Sequence, residues 1–137
     1  MRDVVVGFDG STTSWRALCM AIGVAHGQEA CVHACYVSHR PVTAELVPMS
    51  LPDAFFDDEE GGCAELRAQV FEELARAGAR GEFVHADGDV ARELEAVAEA
   101  CSADMIVVGR SRHPAVHLGG VPRRLLAIGR RPVLVVP

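Results

Sequence analysis

The chain has 137 residues, half of them apolar, with thirteen basic side chains against nineteen acidic ones for a formal net charge of −6. That length fits one domain around one core, and a net acidic surface is repelled by nucleic acid and anionic lipid, which excludes a general polyanion-binding role. No stretch approaches the roughly 20 apolar residues of a membrane span, and the start passes directly into a strand-like run instead of a leader peptide, so a cytoplasmic protein without membrane contact is expected.

In chain order, Val4 to Phe8 reads as a β-branched strand closed by the turn residues Asp9-Gly10-Ser11. Ser14 to Ala25 then carries Trp15, Leu18, Cys19 and Ile22 at helical spacing. Cys31 to Val37 predicts a second strand, Ala64 to Ala77 a second helix and Glu82 to Ala86 a third strand. A third helix over Val90 to Cys101 places Leu94, Val97, Ala98 and Cys101 on its apolar side. Met105 to Val108 predicts a fourth strand, Pro122 to Ile128 a fourth helix and Pro132 to Val136 a last strand. Strands that alternate with helices and are continuously apolar indicate an α/β fold with a parallel sheet covered on both faces. Between the second strand and second helix, His39 to Gly62 holds Pro41, Pro48, Pro52 and the acidic run Asp57 to Glu60, and reads as a long excursion without regular structure.

The five cysteines are odd in number and lie mostly in apolar patterns, which points to reduced core thiols rather than a disulfide framework. Cys31, His33 and Cys35 share one strand face, but a metal needs further converging ligands, and no metal is expected there. His113 and His117 read as solvated. The chain has no lysine, which removes Schiff-base and P-loop lysine chemistry.

Charge is unevenly spread. Residues 1 to 109 hold seven Arg and all nineteen acidic residues, for −12, whereas residues 110 to 137 hold six Arg and no acid, for +6. The basic part opens with a glycine-bounded loop from Gly109 to Val121 between two apolar runs. In an open doubly wound sheet, ligands lie beyond the carboxyl ends of the strands, which here means Asp9, Val37, Gly109 and Ser111. Gly119-Gly120-Val121-Pro122 has the form of a helix N-terminus able to receive a small anion. Arg110, Arg112, Arg123 and Arg124 offer forked contacts to phosphate oxygens. Asp9 fits two roles, a contact to a ribose or base and a simple turn former. Ser11 and Ser14 would need a histidine base that the sequence does not place, and a hydrolase is not expected.

Four segments in order resemble the universal stress protein family over the whole chain: Val4 to Ser11 with Ser14 and Ala17-Leu18, Gly88 to Ala91, Ala103 to Gly109, and Arg131 to Val136. The resemblance implies a five-stranded parallel sheet in the order 3-2-1-4-5, a homodimer through the C-terminal strand, and an adenine-nucleotide pocket in some members. Members that bind ATP typically carry Gly, two residues, Gly, nine residues, then Gly with Ser or Thr. Here Gly109 matches the first glycine, Arg112 replaces the second, and Gly119-Gly120 closes the loop after a spacer of six without the hydroxyl. The expected pocket is Asp9, Val37, Gly109, Ser111, Arg112, Gly119, Gly120 and Val121, with ATP, AMP or a cyclic adenine nucleotide as ligand and none required. The function expected is a stress-response protein that is not a dedicated catalyst. The alternative is a homodimeric interaction module whose pocket is vestigial and takes no ATP.

Overall fold

The computed structural model describes residues 3–38, 54–110 and 120–137, and within it the side chains of residues 54–61 are not described. Among the described residues nine elements follow in alternation: β1 Asp3–Gly7, α1 Thr12–Ala25, β2 Cys31–Ser38, α2 Ala54–Ala77, β3 Arg80–Asp87, α3 Val90–Ala100, β4 Met105–Gly109, α4 Val121–Ile128 and β5 Val133–Val136. The sheet order is β3-β2-β1-β4-β5 with every pair parallel, so this is an α/β fold of five strands and four helices.

β1 is central, and its Val4, Val5 and Val6 are each 0% exposed because helices cover both sheet faces. Burying a valine of this kind is worth roughly 1.5–3 kcal/mol. On one face α1 and α2 pack Leu18, Ile22, Val70 and Leu74 over Val4, Val6 and Val32. On the other, α3 and α4 pack Leu94, Ala98 and Leu125 over Val5, Ile106 and Val108. The chain winds outward from β1 to β3, then crosses back so that β4 pairs with the other side of β1. That reversal sits between β1 and β4, and it opens a crevice at their carboxyl ends.

Several elements differ from the sequence reading. α2 begins at Ala54, ten residues before the predicted Ala64, so the expected excursion over 39–62 becomes helical from Ala54, and residues 39–53 lie outside the described residues. Gly61-Gly62 marks a break on paper, at about 1 kcal/mol per glycine, yet no proline follows Pro52 before the helix ends and good helix formers continue it. The buried stripe of α1 is Ser14, Ala17, Leu18, Ala21, Ile22 and Ala25, which leaves Cys19 exposed. Only Cys35 of the five thiols is buried in the core, correcting the expectation of core cysteines. On α3 the buried set includes Glu95 in place of Val97.

Candidate functional site

The turn after β1 is built by local hydrogen bonds. Gly10 sits at φ +83, a conformation costly for other residues. Asp9 Oδ1 accepts from the Ser11 N–H at 2.8 Å, and Ser11 Oγ caps α1 by accepting from the Ser14 N–H at 3.2 Å. Ser14 Oγ in turn donates to the Ser11 carbonyl at 2.9 Å. The turn residues therefore fix where α1 starts and aim its positive dipole end into the crevice. Phe8 stacks edge-on against Trp15, with ring centroids 4.8 Å apart, and anchors this corner to the core.

The opposite wall is the N-terminus of α4. Gly120 is its N-cap with no side-chain cap bond, and Pro122 stands in the first turn. Between the two helix ends lies a cleft of about 540 Å³ whose lining includes Asp9, Ser11, Thr13, Val37, Gly109 and Val121. Its floor is apolar. Cys35, pushed up to about 12 first by burial and then by the charge of Glu93, is a neutral thiol there, beside Val37, Leu94 and Val108.

Of the eight sequence-derived site residues, Asp9, Val37, Gly109 and Val121 line this cleft, Gly120 caps the helix at its edge, and Ser111, Arg112 and Gly119 lie outside the described residues. His113 and His117 lie outside them too. Arg110 is exposed and lines the mouth. Arg124 does not, because it is bonded to Asp89, the N-cap of α3, and holds that carboxyl below the usual aspartate range. Arg131, just ahead of β5, clasps Glu95 at 3.0 Å, Glu99 at 2.8 Å and the Ala103 carbonyl at 2.9 Å.

Thr13 and Val90 also line the cleft and were not singled out by sequence reasoning. Their position at the first turn of a helix that follows a strand is the signal that could have found them. Gly109 owes its lack of a side chain partly to packing: a Cβ there would stand 2.6 Å from the Thr13 backbone. The cleft thus offers an apolar slot, a carboxylate beside the α1 N-terminus, the α4 N-terminus opposite and an arginine at the mouth. That distribution suits a flat heterocycle joined to a polar, anionic group.

A family model described as the universal stress protein family matches residues 1–137. No curated protein matches the chain. Among solved structures, a universal stress protein family member from Burkholderia pseudomallei is 29% identical over 98% of this chain and 95% of its own, with a TM-score of 0.79. A universal stress protein in complex with cAMP is 25% identical over 99% and 97% of the two chains, with a TM-score of 0.77. The universal stress protein from Archaeoglobus fulgidus in complex with dAMP, at 18% identity, 100% and 98% coverage and a TM-score of 0.67, shares the fold.

Proposed function

Since the chain belongs to the universal stress protein family, we propose that it is a stress-response protein whose β1–β4 cleft takes an adenine nucleotide and that it acts by binding rather than as a dedicated catalyst. The adenine would lie on the apolar floor of Cys35, Val37 and Leu94, the ribose would meet Asp9, and the phosphate would meet Arg110 and the α4 N-terminus. The single observation that supports this most is the facing pair of helix N-termini across a cleft of about 540 Å³, a volume within the roughly 300–1,000 Å³ of small-molecule sites. A relative of 25% identity is described in complex with cAMP, which favours the same ligand class.

Catalysis has little to work with among the described lining residues. Ser11 Oγ caps α1, Ser14 Oγ donates to the Ser11 carbonyl, and among the described residues no histidine lines the cleft to activate them. The loop from Gly109 to Gly120 is shorter than the ATP-binding pattern and has Arg112 where that pattern has glycine, which favours a monophosphate or cyclic phosphate over a triphosphate. Calorimetric titration with AMP, cyclic AMP and ATP tests this. Saturable binding of AMP or cyclic AMP is expected, and no heat with any of the three at millimolar concentration would sink the reading.

A second reading, an interaction module, is favoured by a different observation. β5 is an edge strand, and Val135 on it is 40% exposed, with Leu126 at 62% and Ile128 at 37% on the preceding helix. Pairing of two β5 edges would form a homodimer and cover these side chains.

A further inference from the structure

A second constellation lies at the other end of the sheet, on the α3 face. Because Asp3 pairs with Cys31 and Val5 with His33, the side chains of Asp3, Cys31 and His33 project from the same face near the amino ends of β1 and β2. α3 runs back over that face and delivers Cys101 as its C-cap. A carboxylate oxygen of Asp3, a ring nitrogen of His33 and the Cys101 sulfur all lie within 4.8 Å of one another. His33 is only 7% exposed, whereas Asp3 and Cys101 are partly open to solvent.

The ring of His33 is held at both nitrogens. Its Nε2 stands 3.2 Å from Asp3 Oδ2 and its Nδ1 3.5 Å from Glu82 Oε2 on β3. A carboxylate behind the distal nitrogen is the arrangement that orients a metal-ligating imidazole. An ion pair among Asp3, His33 and Glu82 would explain the ring's position without Cys101. The thiol converging on the same point is what a metal explains better.

We propose that Asp3, His33 and Cys101 bind a borderline-soft divalent cation of the Zn²⁺ type, with Glu82 as the positioning residue behind His33. Oxygen, nitrogen and sulfur donors together match that cation and not Mg²⁺ or Ca²⁺, which take oxygen ligands. Zinc bonds of about 2.0–2.3 Å in a tetrahedron place neighbouring donor atoms roughly 3.5 Å apart. The cluster therefore closes by about 1 Å around the ion, which the two partly exposed ligands can follow. Cys31, the parallel partner of Asp3, shares the sheet face but is not part of the converging set, so water would complete the tetrahedron. The metal would tie the amino ends of β1 and β2 to the end of α3, remote from the nucleotide cleft and independent of it.

Ligation replaces the Cys101 S–H bond with a metal–sulfur bond and releases the proton to solvent. The test uses the full chain, reduced and treated with a chelator, then titrated with Co²⁺ and Zn²⁺. Expected are one equivalent bound, a thiolate-to-cobalt charge-transfer band displaced by Zn²⁺, a raised melting temperature, and no response to Mg²⁺. Cys101→Ser should abolish the band. Glu82→Gln, at a side chain 68% exposed and harmless to packing, should weaken Co²⁺ binding about 10–100-fold. A wild-type chain that binds no Co²⁺, or a Cys101→Ser variant that keeps the band, overturns the site, and a Glu82→Gln variant of unchanged affinity removes the positioning role.

Discussion

Gly109 at the end of β4 lies against the backbone of Thr13 in the first turn of α1, so closely that a Cβ on Gly109 would stand 2.6 Å from the Thr13 carbonyl carbon and 2.7 Å from its oxygen. The contact joins residues 96 positions apart and sets how far α1 stands from the sheet at the cleft. A glycine that the sequence places in the expected pocket is therefore also a packing requirement.

Gly109→Ala should force α1 away from β4. An overpacked contact of this kind costs about 1–3 kcal/mol, and urea unfolding should show a loss in that range. A variant as stable as the parent would mean that α1 yields freely and that the glycine serves ligand approach alone.

Asp9 is exposed and its Oδ1 closes the turn onto the Ser11 N–H. Asp9→Asn keeps an oxygen for that bond and removes the charge, so the fold should be retained with stability within about 0.5 kcal/mol. Adenine-nucleotide affinity should fall about tenfold or more, the loss of one charge-assisted hydrogen bond. Equal affinity by calorimetry would take Asp9 out of the site.

Asp89 caps α3 by accepting from the Arg92 N–H at 3.1 Å and also binds Arg124 of α4. Asp89→Ala should cost about 0.5–2 kcal/mol through the lost cap. Because the folded-state pKa is depressed, first by the Arg124 hydrogen bond, its contribution is complete above the unfolded value near 3.9 and is lost as pH falls through the lower folded value. The stability difference between parent and Asp89→Asn should thus be flat from pH 7 to about pH 4 and narrow below it. A difference that narrows already between pH 7 and 5 would assign the effect to another group.

Arg131 and Glu95 form a buried pair, with side chains 11% and 7% exposed. Glu95 Oε1 has no partner among the described residues, so the carboxylate depends on this arginine. Arg131→Ala should destabilise by about 3–5 kcal/mol, and replacing both residues with methionine should recover most of that loss. A single variant costing under 1 kcal/mol would show that water reaches Glu95.

Val135→Asp places a charge on the exposed β5 edge without entering the core. A homodimer through that strand should dissociate to monomers in sedimentation, with the melting temperature of the monomer retained. An unchanged mass would move the interface elsewhere.

The α/β class was legible from local signals, because Val4 to Phe8 and Met105 to Val108 are apolar runs and helices with period 3.6 separate them. The strand order was not readable from periodicity and came only with the family resemblance, since no residue in a strand records which neighbour it will pair with. Turn chemistry was readable at Asp9-Gly10-Ser11, where the partners are two to five residues apart. The start of α2 was not, because Gly61-Gly62 is a break signal that the surrounding helix formers override.

By itself, then, the sequence determined the alternation of elements, the corner at Asp9, and the placing of Val37, Gly109 and Val121 at strand and helix ends. The tertiary structure decided that Gly109 meets Thr13, that Arg124 serves Asp89 instead of a phosphate, that Arg131 clasps Glu95, and that Cys101 arrives beside Asp3 and His33. The division follows from range. Propensity, capping and periodicity act over a few residues, whereas these four relationships join residues 35 to about 100 positions apart and exist only once β4 crosses back beside β1 and the helices pack on the two faces of the sheet.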